Sequence, residues 1–266
     1  MSGEPRHQRH DDDETDLAGG PRPARRRRAR RAATWTAAVT LLIGLPALAA
    51  LPAAASATPT PAQAASPNHW WPADGSATDT VGHDNGRLFG VSYGPGGDGA
   101  DQAFSFTGAW GRRSNEVRFN KYGGNFGNSD FSVSFEFKTT STRIQALWEK
   151  WPACHAASLW SFRITGSGKL DFTIDNATGS QFVAIESGPG YNDGAWHQVI
   201  GTRHGATTSL YVDGVLTATG TGPHTVYLHN TVNMIAGESV CDGIDGTVPF
   251  TGEMGELMTY RSAITP

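Results

Sequence analysis

The chain carries no cluster of lysine and arginine side chains after Arg31. Residues 58–266 contain 12 Lys and Arg against 19 Asp and Glu, so this part of the chain has a net charge of −7. A surface that binds nucleic acid needs a basic face that neutralises phosphates. The pair formed by Arg112 and Arg113 is too small to provide such a face. The charge balance therefore argues against a nucleic-acid partner.

Helical periodicity is also missing, because no window from Arg87 onward repeats apolar residues roughly every 3.6 positions. Short apolar runs instead alternate with clusters of Gly, Asn, Asp and Ser, which predicts an all-β domain. In segment 131–138 apolar and polar residues alternate, so we expect a strand with one buried face and one wet face. The runs 159–164, 170–174 and 182–185 continue as a meander. Such regularly spaced strands favour a two-sheet antiparallel sandwich.

Segment 193–214, DGAWHQVIGTRHGATTSLYVDG, predicts two antiparallel strands and their turns. It begins and ends with Asp-Gly, a dipeptide that favours tight turns, and it is rich in aromatic and β-branched residues. We expect Trp196 to lie in the core, together with Trp70 and Trp160. Because side chains alternate along a strand, His197 would then face away from the core.

The pattern DGxWHxVxxTRxGxxxxLYVDG resembles the laminin G-like jelly-roll domains of the concanavalin A-like lectin and glucanase superfamily. Segments 70–90 and 99–108 are similar to the opening strands of such domains, and segment 250–266 is similar to their closing strand. The resemblance covers 68–266. It implies that this part of the chain forms one jelly-roll sandwich domain.

The same superfamily includes glycoside hydrolases, whose glucanase members place carboxylates on one strand as an E-x-D-x-E alternation. This motif is absent, and Glu253 and Glu256 have the wrong spacing to share one face of a strand. The family's closing strand usually carries an acidic pair, but here Gly255 precedes Glu256, which argues against a metal role carried over from that pair. No G-x-S-x-G, H-E-x-x-H or P-loop motif occurs either. We therefore expect a non-catalytic domain, with a glycoside hydrolase of the same fold as the third alternative.

Residues 1–57 have the layout of a secretory signal. An arginine-rich stretch at 25–31 precedes an uncharged run at 32–57 that ends in small residues, and we expect cleavage after Ala57. Retention of the leader as a membrane anchor is the alternative. Residues 58–67 read as a Pro/Ala/Thr linker. This organisation predicts a secreted or cell-envelope protein.

Cys154 and Cys241 are the only cysteines. In an exported protein, an isolated pair is most simply a disulfide bond. A disulfide that closes so long a loop lowers the entropy of the unfolded chain. In the entropy model this stabilises the folded protein by up to ~4.5 kcal/mol. We expect this bridge to join the loop after Trp151 to the loop after Val240.

Calcium is the cofactor that the resemblance implies, since jelly-roll domains of this kind often hold one ion with loop oxygens. The residues that offer such oxygens crowd one early segment, DGSATDTVGHDNG; they are Asp74, Asp79, Asp84 and Asn85. Asp and Asn also form turns, and this plainer interpretation stays open.

Loop aromatics are the candidates for ligand binding. Trp110, Tyr122, Trp151 and Tyr191 lie among Gly, Asn, Arg and Pro, and His155 lies beside Cys154. A flat ring can cover the face of a pyranose while nearby polar groups bind its hydroxyls. The alternative is that these rings pack the loops onto the sandwich.

The sequence thus predicts a secreted, non-catalytic module that binds a glycan or glycoprotein surface. The alternative is a protein-interaction or structural domain of the cell envelope, held on the membrane by an uncleaved leader. A shared fold is a weak argument for function, because this sandwich supports adhesion, lectin and hydrolase roles.

Overall fold

Every regular element that the structure describes is a β-strand. The computed structural model describes residues 65–97, 102–111, 113–152, 158–176, 181–222, 226–241, 243 and 246–266. The predicted leader, most of the predicted linker, Cys154 and His155 lie outside these ranges. Within them, no helix has the length and apolar character needed to cross a membrane.

The strands are β1 His69–Trp71, β2 Arg87–Phe89, β3 Ser92–Pro95, β4 Gln102–Thr107, β5 Glu116–Arg118, β6 Phe131–Lys138, β7 Gln145–Lys150, β8 Leu159–Ile164, β9 Leu170–Asp175, β10 Phe182–Glu186, β11 His197–His204, β12 Thr207–Val212, β13 Val215–Thr221, β14 Ile235–Ala236 and β15 Thr251–Tyr260. The three meander runs predicted from the sequence are β8, β9 and β10.

Two antiparallel sheets form the sandwich. The first has the order β13-β12-β11-β6-β15-β4-β3, with β1 also paired to β15, and the second has the order β10-β9-β8-β7-β14-β5-β2. The predicted all-β, two-sheet fold is therefore confirmed. Strands β2 and β5, which are distant from β7 in sequence, complete one edge of the second sheet, where they are joined to it through the short strand β14.

The Asp-Gly dipeptide at 213–214 closes the hairpin between β12 and β13. Asp213 has φ 51° and Gly214 has φ 76°, and two central residues with positive φ define the turn whose twist matches paired strands. Val212 and Val215 on either side are paired. The hairpin predicted from this dipeptide is confirmed.

The core lies between the sheets and is rich in aromatic residues. Trp148 and Trp160 meet edge to face, with ring centres 5.6 Å apart, and Phe135 packs against Phe162 in the same manner at 5.2 Å. Gly201 of β11 faces this layer, because a Cβ there would overlap the ring of Phe162. The absence of a side chain thus allows the two sheets to approach at this point.

Strand β6 is more buried than its alternating pattern predicts. Its apolar residues are buried as expected, but Ser132 is buried as well. The hydroxyl of Ser132 donates to the carbonyl of Ser262 at 2.9 Å and accepts from the amide of Ile264 at 2.9 Å. The prediction of one wet face is wrong here, because the C-terminal segment covers the strand.

The predicted orientation of Trp196 and His197 is reversed. His197 is buried, whereas Trp196 is only half-buried, as is Trp70; Trp160 lies in the core as predicted. The ring of His197 lies between two carboxylates, with Nδ1 2.8 Å from Asp213 and Nε2 3.1 Å from Asp193. These contacts connect β11 to the Asp-Gly turns at 193–194 and 213–214.

Candidate functional site

Strands β2 and β5 bring charged residues together at the edge of the second sheet. Their register places Arg87 opposite Arg118 and Phe89 opposite Glu116. Since alternate residues share a face, these four side chains lie on one face of the pair. Val117, between Glu116 and Arg118, belongs to the hydrophobic core, so the charged face points away from the core.

Three guanidinium groups surround one aromatic ring on this face. The Cζ atoms of Arg87 and Arg113 lie 5.5 Å from the centre of the Phe89 ring, and that of Arg118 lies 5.7 Å from it. Such distances are typical of cation–π contacts. Glu116 is almost fully buried and forms an ion pair of 2.6 Å with Arg118.

Two adjoining cavities open on this cluster. The first, here the Trp110 cavity, measures about 430 Å³ and is lined by Trp110, Gly111, Arg113, Glu116, Arg118, Ile235, Glu238, Ser239 and Val240. The second, here the Asn120 cavity, measures about 510 Å³ and is lined by His83, Asp84, Asn85, Arg87, Phe89, Arg113, Arg118, Phe119, Asn120, Lys121 and Asn233. Arg113 and Arg118 line both. We name Arg87, Arg113, Arg118 and Lys121 the basic corner.

This corner was not predicted from the sequence, in which Arg112 and Arg113 form only an isolated pair and Arg87 and Arg118 lie far from each other along the chain. One signal in the sequence could have contributed. In Arg87-Leu88-Phe89 and in Glu116-Val117-Arg118 the first and third residues lie on the same face of a strand, because side chains alternate along it. Only the pairing of β2 with β5 joins the two faces.

Two of the predicted ligand-binding aromatics lie next to the basic corner. Trp110 is 58% exposed and lines its cavity. Tyr122 is 66% exposed, and the Nζ atom of Lys121 lies 5.1 Å from the centre of its ring. Both rings are open to a ligand, because more than half of each side chain remains in contact with solvent.

The other predicted binding aromatics lie elsewhere. Trp151 is half-buried, and the guanidinium of Arg163 lies 5.2 Å from its ring centre. Tyr191 packs against the hydrophobic core and meets His197 edge to face at 5.1 Å. Neither lines the Trp110 or Asn120 cavity. The contacts of Tyr191 correspond to the structural alternative, in which an aromatic ring packs a loop onto the sandwich.

Asp79, a predicted calcium ligand, organises its own loop. Its Oδ1 accepts hydrogen bonds from the amides of Trp70, Val81 and Gly82, at 2.9–3.0 Å. Its Oδ2 accepts from the amide of Asp84 at 2.8 Å and lies 2.7 Å from Nδ1 of His69. Burial alone would raise the pKa of Asp79, but the hydrogen bonds, led by that of His69, lower it to about 2.

The remaining predicted calcium ligands differ in their exposure and in their hydrogen bonds. Asp74 is exposed, and the side-chain oxygen of Asn85 accepts from the amide of Asp79 at 3.0 Å. Asp84 accepts from the amide of Asn120 at 2.8 Å through Oδ1, and its buried Oδ2 has no hydrogen-bond partner among the described residues. Burial raises the pKa of Asp84. The described ranges contain no group of three or more His, Cys, Asp and Glu residues that could hold a metal ion.

Lys150 connects the core to the turn that carries Lys121 and Tyr122. Its side chain is buried, and its Nζ donates to the carbonyls of Lys121 and Val232 at 2.7 and 2.8 Å. Burial lowers the pKa of Lys150 to about 8, against a smaller opposing effect of Asp84. The contact with Lys121 holds this turn beside the Asn120 cavity.

A third cavity, here the Glu136 cavity, lies on the first sheet and measures about 380 Å³. Glu136, Trp196 and Glu256 are among its lining residues. Oε2 of Glu256 accepts a hydrogen bond of 2.8 Å from Nε1 of Trp70. Sequence spacing did not identify this pair of glutamates, because they lie on different strands, β6 and β15.

Cys241 is buried, and its amide donates to the hydroxyl of Ser239 at 3.1 Å. The loop it begins lies next to the Trp110 cavity, which Ser239 and Val240 line. Its predicted disulfide partner, Cys154, lies outside the described residues, so the bridge stays a prediction.

Known structures with the same fold include sugar-binding domains. Domain 4 of the GH43 extracellular arabinanase AbnA from Geobacillus stearothermophilus, solved in complex with arabinotriose, is 17% identical, with a TM-score of 0.54 over 76% of this chain and 95% of that one. The binding domain of Paraclostridial mosquitocidal protein 1 is 12% identical, with a TM-score of 0.59 over 74% of this chain and 48% of that one. This chain therefore spans about half the length of that domain.

A third neighbour is the binding domain of botulinum neurotoxin DC in complex with SialylT, at 13% identity and a TM-score of 0.54, over 74% of this chain and 48% of that one. Likenesses at such low identity establish the fold alone. No curated protein sequence matches this chain. A family profile, described as the concanavalin A-like lectin/glucanases superfamily, matches residues 111–266. The chain is therefore a member of this laminin G-type family, as its sequence pattern predicts.

Proposed function

We propose that this protein is an exported, non-catalytic module that binds carbohydrate at the Trp110 cavity and the adjoining basic corner. The observation that carries the proposal is the exposed ring of Trp110 at the rim of a cavity lined by charged and hydroxyl side chains. A sugar ring has an apolar face and a rim of hydroxyls. An exposed indole can stack on that face while neighbouring polar groups bind the hydroxyls.

The comparisons support this proposal through the fold. The arabinanase domain was solved in complex with arabinotriose, and the neurotoxin binding domain in complex with SialylT. Rigid sandwiches commonly present binding groups on loops. Trp110 and Tyr122 are in such loops, outside the fifteen strands.

The test is a glycan array probed with the purified protein and with Trp110→Ala. We expect selective binding by the wild type and at least a tenfold weaker Kd for the variant toward the same glycan. Tyr227→Ala is the matched control, because Tyr227 is 60% exposed but lies outside both cavities. If Trp110→Ala and Tyr227→Ala behave alike, the binding site lies elsewhere, and if no glycan binds, the proposed function is wrong.

The same array tests calcium when it is repeated with a chelator. The five contacts of Asp79 use both of its carboxylate oxygens within its loop, which leaves Asp84 as the more suitable ligand. Binding that is lost on chelation and restored by added calcium would support the ion. Binding that survives chelation would show that calcium is not required.

A protein-interaction role is the second candidate, and exposed apolar side chains on two edge strands favour it. Val215 and Leu216 on β13 are 62% and 50% exposed, and Phe182 on β10 is 54% exposed. Its test is the binding of the protein to purified cell envelope that has been stripped of polysaccharide. Retention that free sugars do not compete, and that Val215→Ser with Leu216→Ser abolishes, would favour this role over the first.

Catalysis is the third candidate because two glutamates line the Glu136 cavity. A retaining or inverting glycosidase needs two carboxyl groups across the bond that is cleaved. We propose that the protein does not use them in this way. The test is the release of reducing sugar from every glycan that binds, and release that Glu136→Gln abolishes would show that the protein is an enzyme.

A further inference from the structure

We propose that the basic corner binds the carboxylate of an acidic sugar, so that the preferred ligand is an oligosaccharide carrying isolated uronic or sialic acid units. The inference rests on the proposed function and adds the ligand class. Charge, strand register and the residues that line the Asn120 cavity support it independently of the aromatic ring of Trp110.

The first argument is the concentration of charge. Residues 58–266 contain 12 basic side chains, and four of them line the single Asn120 cavity, although this part of the chain has a net charge of −7. Among the cavity's lining residues, the only carboxylate is Asp84, which is buried. A local positive site on an acidic protein attracts a small anionic group from solution.

The second argument is the arrangement of the arginines. Arg87 and Arg118 are direct cross-strand partners, and like charges in that position oppose folding. Glu116 forms its ion pair with Arg118, so its carboxylate compensates Arg118 more directly than Arg87. An anion between the guanidinium groups would relieve this repulsion. A guanidinium also presents two parallel N–H donors that match the two oxygens of a carboxylate.

The third argument is that the loop bearing Arg113 is held in place. Arg113 has φ 59°, a left-handed conformation that costs energy for most residues. Gly90 allows this loop to lie against the end of β2, because a Cβ at Gly90 would overlap the carbonyl of Ser114. The Arg113 guanidinium is thereby kept over Phe89 before any ligand arrives.

The surroundings favour a sugar with few charges over a densely charged polymer. Three asparagines, Asn85, Asn120 and Asn233, line the same cavity, and their amides are suited to sugar hydroxyls. A polyanion such as heparin would extend beyond the corner, and the net charge of −7 on residues 58–266 would weaken its binding through repulsion.

The experiment measures Kd by isothermal titration for pairs of oligosaccharides that differ only in the carboxylate: 3′-sialyllactose against lactose, and glucuronoxylo-oligosaccharide against xylo-oligosaccharide. The variants are Arg87→Gln and Arg113→Asn, since Asn tolerates the left-handed backbone. Arg143→Gln is the matched control, because Arg143 is exposed and lies outside both cavities. Heparin is the dense polyanion.

We expect at least one acidic member to bind tenfold or more tightly than its neutral partner, a preference that rising salt weakens. Each corner variant should raise the Kd for the acidic oligosaccharide at least tenfold, whereas Arg143→Gln should leave it unchanged. Equal Kd values within both pairs would overturn the inference while leaving carbohydrate binding intact. Tighter binding of heparin than of every acidic oligosaccharide, or corner variants that bind like wild type, would also overturn it. Failure of all sugars and heparin to bind would reject the proposed function and the inference with it.

Discussion

Arg87 and Arg118 are direct cross-strand partners, and both of their guanidinium groups lie within 5.7 Å of the centre of the Phe89 ring. The arrangement has opposing energetic contributions. Repulsion between two facing cations costs a few tenths to about 1 kcal/mol. Contact of an exposed cation such as Arg87 with the half-buried ring of Phe89 contributes about 0.5–1 kcal/mol in the other direction. For Arg87 these two contributions nearly cancel, whereas Arg118 is also stabilised by its ion pair with Glu116.

Arg87→Gln should change the free energy of unfolding by less than about 1 kcal/mol, because the lost cation–π contact and the relieved repulsion offset one another. Urea denaturation at low and at high salt would measure this change. Arg143→Gln serves as the reference for loss of one exposed positive charge. A loss of several kcal/mol would show that Arg87 is needed for folding and that binding data on this variant are not interpretable.

Asp79→Ala should destabilise the protein by about 2 kcal/mol, because four amide donors, of which that of Asp84 is buried, lose a charged acceptor at once. Asp74→Ala is the control, since Asp74 belongs to the same segment but is exposed. Thermal denaturation of both variants would measure the difference. Similar Tm values for the two variants would contradict the role of Asp79 in holding the loop.

The stability of the wild type should fall as pH decreases from 3.8 toward 2, because the pKa of Asp79 is lowered from 3.8 to about 2 in the folded protein. The folded state binds fewer protons than the unfolded state in this window, so the stabilisation is complete above pH 3.8 and is lost below 2. The shift corresponds to about 2 kcal/mol. In Asp79→Asn this component should be missing from the pH profile, and an unchanged profile would contradict the assignment.

Lys150 should also make stability rise with pH, but in the alkaline range. Its pKa is lowered from 10.5 to about 8 by burial, so the unfolded state binds more protons between these values and stability rises with pH. We expect a gain of about 1.5 kcal/mol between pH 8 and 9.5. Urea denaturation at these two pH values would show the gain in wild type and in Lys138→Met, but not in Lys150→Met. Equal slopes in all three proteins would contradict the prediction.

Gly201→Ala should destabilise the sandwich by about 1–3 kcal/mol, the usual range for overpacking a core. The new methyl group would overlap the ring of Phe162 on the opposite sheet. Gly188→Ala is the control, because nothing lies within 4 Å of a Cβ at that position. A neutral Gly201→Ala variant would show that the sheets are free to separate at this point.

The sequence was sufficient where the determinants are local. The turn at 213–214 requires two residues with positive φ, and the Asp-Gly dipeptide favours that conformation. The runs that form β8, β9 and β10 are bounded by turn-forming residues. Alternation also placed Trp196 and His197 on opposite faces. It did not decide which face is buried, because Val199 and Ile200 are both apolar and the pattern is ambiguous there.

The sequence by itself determined several strands and the sandwich class, because turn chemistry and alternation act over a few residues and leave a readable pattern. Its motifs also indicated the family, through their resemblance to known domains. Only the tertiary structure decided the candidate site. Arg87, Arg113 and Arg118 meet because β2 pairs with β5 at the edge of a sheet and because Gly90 allows the loop of Arg113 to lie against it. Such contacts between distant segments depend on how the sheets are assembled, and period-two alternation carries no information about which strand becomes the neighbour.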